Sequence, residues 1–425
     1  MPVLCTKGSL AVQAFGFTNV NAQIINPYIV RVTTPSYLNG ASLFSDGSLL
    51  VLANSGSLGN YSVLAANTRT PSASVSLGMY VTNNESDQSP VTNNKGTMPY
   101  IEGFARVNPS ATLLLAKQAV NAYGTGGTVG TGVAYDDTSG ETFHVSDLYA
   151  TGASTFTTPH IRKFNSSGTL VANLNISTDS AYNDIILTQG CAIDSTYVYI
   201  STVGYTLGAP IVWVLSRSLG SATPYIPSGF TSSVFARMSE IAVDASNNIY
   251  FCVYDSTNGG TTLFKYSSGM ATKLYAVTLS GYTPSNGASV AVDNATGNVY
   301  WVIGTSGTNA LILQTNSSLT PLFAKQISIS TTGDNWSDMQ ISNDAMCFVN
   351  KSSGYAFVLP KNGTRTGTYS VGGGTVIYSS VSIPSYSSTS GTWATTTGYS
   401  TTRSYTVTTP TSSAGTAFSV SSLSI

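Results

Sequence analysis

Residues 239–280 read SEIAVDASNNIYFCVYDSTNGGTTLFKYSSGMATKLYAVTLS, and residues 289–328 read SVAVDNATGNVYWVIGTSGTNALILQTNSSLTPLFAKQIS. Each stretch contains short apolar runs separated by Gly, Ser, Asn and Asp, the residues that tight turns require. The Ile-Ala-Val-Asp of the first copy becomes Val-Ala-Val-Asp in the second, and Asp244 and Asp293 are 49 residues apart. A four-stranded antiparallel unit that repeats at this length is typical of a β-propeller blade.

The remaining sequence contains weaker copies of the same unit. Further blades are expected to open near residues 41, 133, 191 and 339. The 91 residues from Ser45 to Asp136 are about twice the repeat, which leaves room for a second blade holding residues 78–82 and 104–118. We therefore predict an all-β protein, a β-propeller over residues 38–370, with seven blades and with six or eight as alternatives.

The second strand of the 239–280 unit is apolar on both faces. Ile249, Phe251 and Val253 alternate with Tyr250, Cys252 and Tyr254. A sheet stacked between two neighbouring blades is buried on both faces, whereas a sandwich strand would show polar residues on its outer face. The pattern therefore favours the propeller over a sandwich.

Composition narrows the class of protein. Only 8% of the 425 residues are charged and the net charge is −1, against about 25% charged residues in ordinary globular proteins. Neither nucleic acid nor a membrane surface is expected as a partner, and membrane insertion is not expected either. The N-terminal sequence MPVLCTKGSLAVQAFGF has no pattern of a secretory signal. A hydroxyl-rich, uncharged surface without an export signal favours a virion protein assembled in the host cytoplasm.

Two segments fall outside the repeat. Residues 1–37 carry short apolar runs and are expected to form an arm that docks on the propeller or anchors it to a partner. Residues 371–425 are rich in Ser, Thr and Gly, and Arg403 is their only charged residue. This β-rich tail is expected to complete the last blade, to form a small domain, or to pair with other copies of the chain as an oligomerisation segment.

Four aspartates recur between the first and second strands of their blades: Asp136, Asp194, Asp244 and Asp293. We interpret them as structural turn caps, because Asp side chains in D-A-S-N-N and D-N-A-T-G-N turns accept backbone N–H bonds. A carboxylate ring that holds a cation over the channel is the alternative. The D-x-D-x-D spacing of a calcium loop is absent, so no metal is predicted.

The sequence gives little sign of catalysis. His144 and His160 are the only histidines, and Ser146 and Asp147 lie near the first of them. Nearness in sequence does not define a triad, and no G-x-S-x-G, H-E-x-x-H or phosphate-loop motif occurs. The four cysteines lack C-x-x-C spacing and are expected to be buried free thiols. We predict no catalytic residue and no cofactor.

The tail carries aromatic residues among hydroxyl side chains. Exposed rings beside hydroxyls and amides can stack on the C–H faces of sugars, so the tail is a speculative receptor or glycan contact. Packing of strands between subunits is the alternative. The residues concerned are Tyr378, Tyr386, Trp393, Tyr399 and Tyr405.

The I-A-V-D…N-N-I-Y and V-A-V-D…G-N-V-Y units resemble NHL-like propeller repeats over residues 41–370. With its composition and hydroxyl-rich tail, the chain resembles structural proteins of tailed bacteriophages, of the tail-fibre or nozzle kind. That resemblance implies a non-enzymatic tail component that contacts the host, with other virion proteins, copies of itself and a host-surface glycan or protein as partners. Head decoration, a propeller lyase or hydrolase, and a surface adhesin are the alternatives.

Overall fold

The computed structural model describes residues 25–425 apart from 35–36, 56–57, 82–90, 93, 121–129, 150–156, 181–185, 205–208, 229–237, 256–259, 283–286, 307, 332–335 and 403–404. Within this part of the chain, strands form seven antiparallel sheets, and the one helical element is a single 3-10 turn at Ser268–Met270. The prediction of an all-β, seven-bladed propeller is confirmed.

Each blade has four strands in hairpin order from the channel outward. Blade 1 consists of Tyr37–Leu43, Leu49–Ser55, Leu58–Leu64 and Val75–Tyr80; blade 2 of Val91–Thr92, Lys95–Pro99, Gly103–Val107 and Leu113–Val120; and blade 3 of Thr131–Tyr135, Thr142–Tyr149, Thr157–Phe164 and Leu170–Ser177. Blade 4 consists of Ile186–Ile193, Tyr197–Gly204, Ala209–Ser216 and Ala222–Pro227, and blade 5 of Ala242–Val243, Ile249–Asp255, Gly260–Tyr266 and Lys273–Ser280. Blade 6 consists of Ala288–Asp293, Asn298–Ser306, Asn309–Thr315 and Pro321–Ile329, and blade 7 of Trp336–Ser342, Ala345–Asn350, Tyr355–Pro360 and Tyr28–Thr34.

The ring closes through the N-terminal strand. Tyr28–Thr34 pairs with Tyr355–Pro360, so the start of the described chain supplies the fourth strand of blade 7. This corrects the expectation that residues 1–37 form an arm outside the blades; residues 1–24 lie outside the described part. The expected content of blade 2 is also wrong in one place, because Val75–Tyr80 is the fourth strand of blade 1. Residue 82 is not described.

A second correction concerns the C-terminal tail, which pairs with the outer edges of its own blades. Seven strands between residues 374 and 424, which we name the belt, add one strand to each blade in the order 6, 5, 4, 3, 2, 1, 7. A further strand, Gly367–Val371, pairs outside the first belt strand. The belt strands are Gly374–Val381, Tyr386–Ser388, Trp393–Thr395, Tyr399–Thr401, Thr406–Thr408, Ser413–Ala414 and Ser419–Ser424.

The belt therefore makes one circuit of the propeller, and its two ends meet. Ser419–Ser424 pairs with Tyr28–Thr34. At the turn that opens the belt, a Cβ added to Gly372 would lie 3.3 Å from the Cβ of Ser421. The outermost strand of a blade normally exposes unpaired N–H and C=O groups, which can template pairing with other chains. In this protein the belt covers each of the seven fourth strands.

Lysine side chains on the blades hold parts of this uncharged belt. The Nζ of Lys273 in blade 5 lies 3.3, 2.9 and 3.0 Å from the carbonyl oxygens of Thr389, Ser390 and Gly391. These three residues carry the belt from blade 5 to blade 4. An ammonium group with three carbonyl partners satisfies all of its donors, so Lys273 fixes the path of the crossing.

The hydrophobic core lies between blades. Ile249, Phe251 and Val253 pack in the cluster shared with blade 4, and Tyr250 and Cys252 pack in the cluster shared with blade 6. The two apolar faces expected of this strand are therefore both buried. Because each blade contributes to two such clusters, the core is continuous around the ring.

In blades 1 to 6, the turn between the third and fourth strands has an unusual backbone, because each turn contains a residue with positive φ. In five of these six turns that residue is not glycine, although αL costs an ordinary residue about 1–2 kcal/mol. Three of them bury their side chains between blades and so offset the strain: Leu219, Met270 and Leu319. The other positive-φ residues of these turns are Arg69, Ala111, Gly168 and Gly269.

Candidate functional site: the central channel

The innermost strands enclose a cavity of about 340 Å³ on the propeller axis. Blades 1, 3, 4, 5, 6 and 7 contribute to its wall. Most of the lining side chains are aliphatic, and the inner strands of blades 3 to 6 carry the triplets Val-Ala-Tyr, Cys-Ala-Ile, Ile-Ala-Val and Val-Ala-Val. The alanine in the middle of these four triplets is replaced by Gln340 in blade 7. The residues described in the wall include no charged side chain and no histidine.

Four partly exposed aliphatic residues stand at one end of this cavity. Ile193, Val243, Val292 and Ile341 occupy equivalent positions on blades 4 to 7, directly before the turn to the second strand. We name these four residues the aliphatic ring. Each also packs against the core between two blades, which fixes its position. The channel therefore opens through an apolar mouth.

The four recurrent aspartates surround this mouth, and their carboxylates accept backbone N–H bonds within their own turns. Asp244 Oδ1 accepts from the N–H of Ser246 at 2.9 Å and from that of Asn248 at 2.8 Å. Asp194 Oδ1 accepts two backbone bonds at 2.7 and 2.6 Å. Asp136 and Asp293 accept one each, at 2.9 and 3.1 Å. This is the geometry of a turn cap.

Two of the four aspartates also form ion pairs with the neighbouring blade. Arg217 lies 2.6 Å from Asp136, and Lys361 lies 2.7 Å from Asp293. Burial alone would raise the pKa of Asp136, but hydrogen bonds, first of all from Arg217, lower it below the ordinary value. These carboxylates therefore link adjacent blades in addition to capping turns. Among the described residues, no group of three or more metal-binding side chains occurs.

Buried acidic residues tie the blades together at the other end of the channel. Asp147 of blade 3 accepts from the N–H of Thr188 in blade 4 at 2.8 Å and from that of Gly130 at 2.9 Å. The Thr188 hydroxyl donates to its second oxygen at 2.5 Å. Burial raises the pKa of Asp147 to about 7, against the opposing effect of these bonds. Asp338 of blade 7 reaches blade 1 similarly, where the N–H of Ala41 donates to Oδ2 at 3.2 Å.

Glu240 continues this network across several blades. Its side chain passes so close to Gly190 of blade 4 that a Cβ there would lie 2.9 Å from that of Glu240. Burial raises the pKa of Glu240, while a hydrogen bond with Ser289 and the charge of Lys351 lower it. Lys351 is itself fully buried and lies 4.0 Å from Asp338. These buried groups therefore connect blade 5 with blades 4, 6 and 7 at this end of the channel.

Sequence reasoning missed this network. A usable signal was present, because Glu240 and Asp338 are charges directly before the apolar part of an inner strand in a chain where charges are scarce. A charge in that position is buried by the next blade and needs partners there.

Ser146, His144 and Asp147 do not form a Ser–His–Asp triad. His144 uses one ring nitrogen to donate to the carbonyl of Tyr100 at 2.7 Å and the other to accept from Arg162 at 2.9 Å. Ser146 also contacts Arg162, at 3.2 Å, whereas Asp147 faces blade 4. Burial, followed by the charge of Arg162, holds the pKa of His144 well below its ordinary value, so this imidazole is a neutral structural group.

The tail aromatics divide into buried wedges and exposed rings. Tyr378 and Trp393 are 1% and 7% exposed, which contradicts a role as receptor contacts. The Tyr405 hydroxyl lies 2.5 Å from Nδ1 of His160, and its ring lies under the guanidinium of Arg162. Tyr386 and Tyr399 are 47% and 37% exposed. Tyr378, Trp393 and Tyr405 therefore pack against blades of their own chain, whereas the alternative raised from the sequence was packing between subunits.

The three described cysteines, Cys191, Cys252 and Cys347, are buried free thiols. Burial raises the pKa of Cys191 and of Cys252 to about 12. The prediction for these three cysteines is thus confirmed, while Cys5 lies outside the described residues. In the described part of the chain, no helix is long and apolar enough to cross a membrane.

No protein-family model and no curated protein matches this sequence. Solved propellers are similar in fold. The WD40 domain of Pan2 from Neurospora crassa has 10% identity and a TM-score of 0.45, covering 86% of this chain and 99% of that chain. The WD40 domain of SCAP from fission yeast has 11% identity, a TM-score of 0.43 and coverages of 78% and 98%. A gluconolactonase from Xanthomonas campestris has 10% identity, a TM-score of 0.39 and coverages of 79% and 95%. These likenesses carry no conclusion about function.

Proposed function

We propose that this chain is a non-enzymatic structural protein of a bacteriophage virion, located in the tail, where it serves as a rigid platform that contacts the host. The belt is the observation that carries the proposal. A particle outside the cell depends on slow unfolding, because no chaperone can refold its proteins there. A strand that ties each blade to the next adds contacts that must break before any blade can open.

The outer surface of the belt also suits a crowded particle. Five of its seven strands have only two or three residues, and the exposed positions are mainly Ser and Thr. Short polar edge strands offer little template for pairing with neighbouring chains. No acidic residue follows Asp344 in the sequence, so the belt surface depends little on salt or pH.

Two residues of the belt can contact a host glycan. Tyr386 and Tyr399 are exposed at the rim of blades 5 and 3, each as the first residue of its belt strand. Serine and threonine residues beside them offer hydroxyl groups. An aromatic face flanked by hydroxyls binds a sugar ring by stacking and needs no charge.

The central channel supports the non-enzymatic part of the proposal. Most side chains in its wall are aliphatic, and both ring nitrogens of His144 are engaged in structural contacts. A channel enzyme would need polar or metal-binding groups from several blades pointing at one substrate position. The described residues that line the cavity place no carboxylate or imidazole there.

Immunogold electron microscopy with antibody against this chain tests the virion location. Label on the tails of particles from the same source is the expected result. Label on heads would replace the tail proposal with head decoration. Unlabelled particles, with the protein elsewhere, would overturn the virion proposal and bring back the enzyme and adhesin alternatives.

Host contact is tested by competition with the purified chain. The wild-type protein should reduce adsorption of the phage to host cells, and the double variant Tyr386→Ala, Tyr399→Ala should need at least about tenfold more protein for the same effect, because each lost stacking contact is worth about 1 kcal/mol. Leu114→Ala is the matched control, since Leu114 is 45% exposed on blade 2 outside the belt. Equal competition by all three proteins would exclude these tyrosines as the contact.

A further inference from the structure

We propose that the N-terminal segment, residues 1–24, docks its apolar run 10–17 on the aliphatic ring at the mouth of the central channel. The ring is the apolar surface that the propeller leaves open on its axis. The proposed occupant is a segment of the same chain. This inference is independent of the virion proposal.

The point of entry of the chain supports this occupant. The N–H of Ile25 donates to Oδ1 of Asp344 at 3.0 Å, and the Ile25 side chain would lie 3.5 Å from a Cβ at Gly47. Asp344 and Gly47 belong to the turns between the first and second strands of blades 7 and 1, on the face where the channel opens. Ser342 lines the cavity and is two residues from Asp344. At about 3.3 Å per residue, Ile25 enters within roughly 10 Å of the mouth.

The length of the segment is ample. Twenty-four residues span at most about 80 Å when extended, several times the distance to the aliphatic ring. Covalent linkage at Ile25 gives a segment of this length an effective concentration of about millimolar near the mouth. A contact with a Kd below about 1 mM would therefore be occupied for most of the time.

The chemistry of the two surfaces matches. Residues 10–17 read LAVQAFGF, with six apolar side chains and no charge. Lys7 is the only charged residue of the whole segment. The mouth presents Ile193, Val243 and their equivalents above a cavity of about 340 Å³, which accommodates a Phe side chain. Docking would remove apolar surface on both sides from water without burying a charge.

Cross-linking in the full-length chain tests the proposal. The parent variant carries Cys5→Ser and Ala14→Cys, which places one reactive thiol in the apolar run. The thiols of Cys191, Cys252 and Cys347 are buried with raised pKa values and stay silent. Val243→Cys then adds a second thiol in the ring. Val171→Cys is the matched control, because Val171 is 52% exposed on the outer rim of blade 3.

A short bis-maleimide should join Ala14→Cys to Val243→Cys at least tenfold faster than to Val171→Cys, as measured by mass spectrometry of the peptides. Adding Phe15→Ser and Phe17→Ser should remove that preference and raise the rate at which Val243→Cys alone reacts with a monofunctional maleimide. Circular dichroism and thermal unfolding check that every variant is folded.

Equal cross-linking to the ring and to the rim would overturn the proposal. It would also fail if Val243→Cys reacted at the same rate with and without the two Phe→Ser changes, because the mouth would then be open to another partner. The virion location is measured on particles by electron microscopy, so either proposal can fail while the other stands.

Discussion

Trp393 of the belt packs edge-on against Phe251 of blade 5, with ring centroids 5.0 Å apart and an interplanar angle of 80°. The belt strand that begins at Trp393 pairs with blade 4. The indole therefore fills the groove between two blades while its backbone extends one of them. Trp393 thus joins the belt to both blade 4 and blade 5.

Replacing Trp393 by Ala should lower the free energy of unfolding by about 3–5 kcal/mol, because a buried aromatic is removed from a packed cluster. Tyr386→Ala is the matched control at the equivalent position of another belt strand. That side chain is 47% exposed, so its loss should stay within about 0.5 kcal/mol. Urea unfolding followed by tryptophan fluorescence and by circular dichroism measures both. Similar losses in the two variants would contradict the wedge role of Trp393.

The contrast between these two aromatics shows what the sequence could predict. Rings recur every six or seven residues at Tyr386, Trp393, Tyr399 and Tyr405, and successive belt strands begin at the same interval. That period was the available sign of a belt. Its strands are only two or three residues long outside blades 6 and 7, so they carry no alternation that could fix register or partner.

The blade count and the inner strands of all blades except blade 2 were predictable because each of these units repeats the same local pattern. Asp244 and Asp293 mark equivalent turns, and the two apolar faces of the strand around Phe251 report burial on both sides. Closure by Tyr28–Thr34 was not predictable in this way. Its partner lies more than 300 residues away in the sequence, and pairing at that distance leaves no local signal.

The αL turn residues give a prediction in which two glycine substitutions have opposite effects. Leu319 has φ 62° and is fully buried, whereas Ala111 has φ 60° and a small, partly buried side chain. Leu319→Gly should lower the free energy of unfolding by about 2–4 kcal/mol, since lost burial exceeds the relieved strain. Ala111→Gly should raise it by up to about 1 kcal/mol. Thermal unfolding of both variants measures the signs, and a loss in both would mean that backbone strain is not stored at these turns.

Asp147 predicts a pH dependence of stability. Burial raises its pKa to about 7 in the folded protein, above the value of about 3.9 in an unfolded chain. The folded state therefore keeps a proton that the unfolded chain releases, so this contribution to stability is complete below about pH 4 and is lost as the pH rises to about 7. Asp147→Asn resembles the protonated form, because its amide oxygen can accept the Thr188 N–H and its NH₂ can donate to the Thr188 hydroxyl.

The variant Asp147→Asn should consequently gain stability relative to the wild type between pH 4 and 7 and should be the more stable protein at pH 8. Asp136→Asn is the opposite control. Its carboxylate has a lowered pKa in the ion pair with Arg217, so it stabilises the fold above about pH 4, and its replacement should cost stability at pH 8. Urea unfolding at pH 5 and pH 8 measures both differences. If Asp147→Asn were destabilised equally at the two pH values, the carboxylate would be ionised in the folded protein, and the bonds from Thr188 and Gly130 would outweigh its burial.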